Sequence, residues 1–218
     1  MSSYIGLQRT LFPHTVDTAK AMNYREDNIL ILQGNEKKLQ NKYPSVWKNI
    51  LTCGHNMDKR TPLEYAQDLV SNWLLEDFII SKLNKFGYHA YCSGKDKDRK
   101  ILKNDKVGTE PDITIEKDGK TYPLELCANY DGYWTRLNKI DLRDSKYNNM
   151  VANNDILVAI SFKDRQFAVI DITNYKNITK EEHHAQWGGK PCWTIHTDNC
   201  FVDITEKNIK EQVDKIFS

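Results

Sequence analysis

The chain has 218 residues, 39% of them hydrophobic and 28% charged, which is ordinary globular usage and excludes a disordered, collagen-like or low-complexity class. Thirty-one Lys and Arg against thirty Asp and Glu leave a net charge of +1, so any affinity for a polyanion must come from local clustering of charge. The longest apolar run is the five residues Ile156 to Ile160, too short to span a bilayer, and Met1-Ser2-Ser3-Tyr4 lacks the order of a secretory signal. The five cysteines, Cys53, Cys92, Cys127, Cys192 and Cys200, are scattered and never spaced as CxxC, a pattern that suits reduced thiols in a cytoplasm.

In chain order, residues 1–60 form an N-terminal elaboration. Within it Asn28 to Leu32 predicts a short buried strand, and Gln33-Gly34-Asn35 a turn into a short helix. Thr61-Pro62-Leu63-Glu64 combines an N-cap hydroxyl, Pro at the first helical position and Glu three residues after the cap, so a long helix starts there. Leu69, Trp73, Ile79, Ile80, Leu83 and Phe86 give it an apolar face, and Gly87 is its expected left-handed cap. Tyr88 to Cys92 predicts a first strand. A hairpin follows: Asp112 to Glu116, a turn at Asp118-Gly119, and a return strand from Thr121 to Cys127. The spacing predicts a second helix over about Trp134 to Val151, then strands at Ile156–Ile160 and Phe167–Ile172, and a closing helix capped within Asp203–Glu206. The fold class is therefore α/β, a mixed central sheet flanked by helices, in one domain.

Three carboxylates stand out. Folding the hairpin at Asp118-Gly119 can bring Asp112 and Glu125 to adjacent strands, and correct register would put both on one face, where two oxygen donors make a hard-cation site. A pair of solvent-facing residues on a hairpin is the alternative reading. Glu125, however, lies between Leu124 and Leu126 in what reads as an interior strand, where an unpaired carboxylate is expensive. Glu76 interrupts the apolar side of the long helix, one turn from Trp73, Ile79 and Ile80.

With Glu76 in the first helix, then Phe86-Gly87-Tyr88, Pro111-Asp112 and Leu124-Glu125-Leu126-Cys127, residues 62–172 resemble the PD-(D/E)xK nuclease superfamily, type II restriction endonucleases among them, whose core runs α-β-β-β-α-β. The resemblance implies a divalent-metal-dependent endonuclease that hydrolyses phosphodiester bonds of duplex DNA. Asp112 and Glu125 would bind Mg²⁺, with Mn²⁺ as a substitute, and Glu76 would assist directly or through water. By analogy it also implies a homodimer, with sequence recognition by residues outside the core. Where the family's last motif has Lys, this chain has Cys127. A structure-specific or RNA-directed nuclease and a non-cleaving, nucleic-acid-binding relative are the rival readings.

The second helix offers a replacement for the missing lysine. Arg136, Lys139, Arg143 and Lys146 recur at intervals of three and four, which on one continuous helix stacks them as a stripe. Lys139 is closer along the chain to Glu125 and is the expected catalytic residue, leaving Arg136, Arg143, Lys146 and the aromatic Tyr133 as nucleic-acid contacts. A merely solvated helix face is the alternative. The basic segment Lys95–Lys106 and the aromatics Tyr130 and Trp134 could flank a groove or could equally be loop and core. His183-His184, Cys192, His196 and Cys200 suggest zinc, but their spacing suits no familiar closed zinc module.

Overall fold

A computed structural model describes residues 15–52, 60–103, 110–185 and 188–217. The chain forms two compact units, the first comprising Met1–Lys82 and Cys92–Glu110, the second Leu83–Tyr91 and Pro111–Ser218.

The first unit is helical: α1 (Thr15–Ala21), α2 (Glu26–Leu32), α3 (Glu36–Lys42), α4 (Pro44–Ile50) and most of α5 (Pro62–Lys85). Its core joins Leu30, Ile31, Leu39, Ile50, Ala66, Val70, Trp73 and Ile101. At the start of α5 the Thr61 N–H donates to Glu64 at 2.7 Å and the Glu64 N–H donates back to the Thr61 hydroxyl at 3.3 Å, the reciprocal cap that the sequence predicts. The expected strand at Asn28–Leu32 is instead helix α2. Four apolar residues are too few to distinguish strand from helix, and Glu26 and Asp27 in the first turn favour the helix N-terminus. Gln67 of α5 then donates to the Ile31 carbonyl at 3.0 Å, satisfying a group at the helix end.

The second unit carries β1 (His89–Cys92), β2 (Ile113–Lys117), β3 (Lys120–Asn129), α6 (Tyr133–Leu137), β4 (Lys139–Arg143), α7 (Asp144–Asn153), β5 (Ile156–Ser161), β6 (Gln166–Asp171), β7 (Ile178–His184), β8 (Lys190–His196), β9 (Val202–Asp203) and α8 (Glu206–Asp214). Among the described residues the strands form a mixed six-stranded sheet in the order β1-β2-β3-β5-β6-β9 and a separate three-stranded sheet, β4-β8-β7. In the larger sheet β3 is antiparallel to β2 and parallel to β5, with α6, β4 and α7 in the connection between β3 and β5. β5 is buried along its whole length, which is why Ile156–Ile160 reads as an unbroken apolar run. The core joins both sheets through Trp134, Ile140, Leu142, Met150, Leu157, Ala159, Ala168, Ile170, Ile172 and Ile195. No helix among the described residues is long and apolar enough to cross a membrane.

The continuous helix expected from Trp134 to Val151 is three elements. Asn138, at φ +50°, ends α6 in the left-handed conformation, and Lys139–Arg143 then extends to pair with β8 in register Ile140↔Ile195 and Leu142↔Trp193. Its partner strand lies some fifty residues downstream, beyond the reach of a local periodicity.

Candidate active site

The hairpin positions the carboxylates. Asp118 and Gly119, at φ +52° and +74°, form a two-residue loop between Lys117 and Lys120, and that loop fixes the register Ile113↔Leu124. Asp112 Oδ2 accepts the Leu126 N–H at 2.9 Å, tying the residue before β2 to the middle of β3. Leu124 is buried on one face of β3, and Glu125 and Cys127, the register partners of Leu157 and Ala159, share the other.

A third group arrives from α7. Lys146 Nζ donates to Glu125 Oε1 at 2.6 Å, and its charge also acts on the neighbouring Cys127 thiol. Burial works against the Lys146 charge, but the Glu125 and Asp112 carboxylates oppose it, and the ammonium is held above the ordinary lysine range. Burial pushes the Cys127 thiol up to about 11, with Lys146 opposing and the two carboxylates reinforcing the rise. The thiol is therefore protonated at neutral pH and packs against the core as a small apolar group.

Asp155, at the head of β5, is a fourth member that the sequence reading missed. It is buried, Asn153 reaches its Oδ2 only at 3.5 Å, and its Oδ1 has no hydrogen-bond partner. Burial and then the neighbouring Glu125 raise its carboxyl from 3.8 to about 6, against the opposing influence of Asn153 and Lys146. A carboxylate immediately before the most apolar run in the chain was the available signal.

The remaining expected residues have the following contacts. Glu76 is buried in the first unit, where Arg99 pairs with it at 2.6 Å. The same guanidinium holds Asp77, which also accepts the Tyr24 hydroxyl. Arg99 thus accounts for a carboxylate on the apolar side of α5.

The stripe of four basic residues is not formed, because they lie on different elements. Arg136 is in α6, Lys139 and Arg143 are at the two ends of β4, and Lys146 is in α7. Lys139, the expected catalytic lysine, is 3.2 Å from Asp141 and lies over the ring of Tyr133, whose hydroxyl donates to Asp141 at 3.1 Å. Proximity along a continuous helix favoured Lys139 over Lys146, and with β4 interrupting that helix the argument fails. Lys146 is the one of the four that contacts Glu125. Tyr130 stacks on Phe162 at 4.9 Å and, like Trp134, is buried. In the basic loop Lys95 pairs with Glu110 at 3.4 Å, and residues 104–106 lie outside the described residues.

In comparisons with known proteins, no family model matches the sequence and no curated protein matches it.

Proposed function

We propose that this chain is a divalent-metal-dependent endonuclease of the PD-(D/E)xK type acting on duplex DNA, with Asp112 and Glu125 as metal ligands and Lys146 in the role of the motif lysine. The observation that carries the reading is the convergence of Asp112, Glu125 and Lys146 around Cys127, the position at which the motif would place its lysine. The order α5-β1-β2-β3-α7-β5, with α6 and β4 inserted before α7, supports it.

The donor set fits a hard cation. Asp112, tied to β3 by the Leu126 N–H, and Glu125 of β3 both act on one side-chain cation, Lys146. Mg²⁺ takes one or two protein carboxylates and fills its other positions with water and phosphate oxygen, and Mn²⁺ accepts the same donors. A divalent ion held by Asp112 and Glu125 would supply Lewis-acid stabilisation of the phosphate and a lowered water pKa. The protein's own contribution falls to Lys146. Its ammonium stands beside Glu125 with donors to orient an attacking water and to offset the charge that builds on the phosphorane. The Cys127 thiol, pushed up to about 11 by burial, is a poor nucleophile, which fits attack by water oriented by Lys146.

The test is incubation of the full chain with long duplex DNA and Mg²⁺ or Mn²⁺. Cleavage that chelator abolishes, and that Asp112→Asn and Glu125→Gln both remove, is expected. Discrete bands would indicate site recognition, whereas cuts confined to branched DNA or to RNA would redirect the substrate to the rival nucleases. Binding without cleavage under either metal would overturn the enzymatic reading in favour of a non-cleaving relative.

A further inference from the structure

The polar face of the three-stranded sheet holds a second group of donors, unconnected with the carboxylates of β2 and β3. One face of this sheet, with Ile140, Leu142 and Ile195, belongs to the core. On the other, the register Asp141↔Thr194 and Arg143↔Cys192 brings Asp141 and Cys192 side by side, and the Thr194 hydroxyl donates to Asp141 Oδ1 at 2.7 Å. His184 joins them only because β7 is irregular. Glu181 pairs with Cys192 and His184 with Lys190, a slip of one residue. In regular alternation Glu181 and His184, three apart, would point to opposite faces. The bulge re-aims His184 to the face that carries Asp141 and Cys192, a recurrent use of bulges beside functional sites.

The result is a carboxylate, an imidazole and a thiol from three strands. Their donor atoms all lie within 4.8 Å of one another, and each side chain is buried. His184 Nε2 is 3.6 Å from Asp141 Oδ2.

We propose that Asp141, His184 and Cys192 form a transition-metal site that takes Zn²⁺. Sulfur and nitrogen donors disfavour Mg²⁺, which requires oxygen, whereas a thiolate, an imidazole and a carboxylate together are a familiar zinc donor set. Donors around a tetrahedral zinc, at about 2.0–2.3 Å from the ion, stand roughly 3.3–3.8 Å apart, so closing the site requires about 1 Å of contraction. Thr194, Lys139 and Tyr133 contact the Asp141 carboxylate and orient it, as outer hydrogen-bond partners do for ligating carboxylates. Water fills the fourth position. Binding converts the Cys192 thiol to a thiolate and releases its proton to solvent. The site would pin the β7–β8 hairpin to β4, a structural role independent of phosphodiester chemistry.

The full chain, loaded with Zn²⁺ and dialysed, should retain about one zinc per chain by elemental analysis. In the Cys192→Ser and His184→Ala variants retention should fall below about a tenth of that value, while Cys200→Ser, which alters a cysteine outside the cluster, should keep it. Because a buried variant can fail to fold, the unaltered protein is also loaded with Co²⁺. A thiolate-to-cobalt charge-transfer band with intense tetrahedral visible bands is expected, and Zn²⁺ should displace it. Absence of retained zinc in the unaltered protein, a cobalt spectrum without the thiolate band, or full zinc retention in folded Cys192→Ser would each overturn the proposal and leave a buried hydrogen-bond network around Asp141.

Discussion

Replacing Asp155 with Asn should stabilise the protein at neutral pH and leave its stability in acid nearly unchanged. Asp155 is 2% exposed and one of its oxygens has no hydrogen-bond partner. Burial and Glu125 raise its folded-state carboxyl from 3.8 to about 6. A carboxyl that binds its proton more tightly when folded contributes fully to stability below its unfolded value, and that contribution is lost as pH rises through its folded value. The loss therefore runs from about pH 4 to about pH 6 and reaches at most about 3 kcal/mol, from 1.36 kcal/mol for each tenfold change in proton affinity. Asn keeps the volume and removes the charge. Urea unfolding of both proteins at pH 7.5 and pH 4, without divalent metal, should show Asp155→Asn ahead by about 1–3 kcal/mol at the higher pH and level at the lower. In a Glu125→Gln background the pH-dependent gain should shrink, because part of the rise in Asp155 comes from Glu125. A difference between the two proteins that is the same at both pH values would refute the reasoning.

Lys146→Met should lower the cleavage rate by about 10²–10³ while the fold is retained, whereas Lys139→Met, whose ammonium serves Asp141, should leave the rate near that of the unaltered protein; single-turnover kinetics separate the two. Arg99→Met strands Glu76 and Asp77 without their guanidinium and should destabilise by about 3–5 kcal/mol in chemical denaturation, and Glu76→Gln in the same chain should recover part of that loss. Cys127→Ala should keep its turnover, since a thiol raised to about 11 takes no part as a nucleophile; a fall in turnover matching that of Glu125→Gln would give the sulfur a direct role.

The readable parts of this chain are those set by adjacent residues. Thr61 and Glu64 mark the start of α5, Gly87 at φ +89° marks its end, and Asp118-Gly119 fixes the register of the β2–β3 hairpin. That register was legible because a two-residue turn leaves it no freedom. What was not legible depends on distant partners. β4 is a strand because β8 is there to pair with it, and with β4 in place Lys139 leaves the helix that seemed to carry it. Lys146 reaches Glu125 from a helix whose start could not be located without that strand. The buried Glu76 needs a partner, and Arg99, twenty-three residues on, provides it from a segment with no periodicity to place it. His184 points inward through a bulge that no local signal announces.

In the proposed function Lys146 supplies, from α7, the ammonium that the motif would place at position 127. The rate of Mg²⁺-dependent plasmid cleavage in Lys146→Met and in the double variant Cys127→Lys/Lys146→Met tests this assignment. The single variant should be slow and the double variant should recover most of the lost rate, because Cys127 shares the face of Glu125, to which Lys146 donates. Cleavage by Lys146→Met at the unaltered rate, or a folded double variant no faster than the single one, would contradict the assignment.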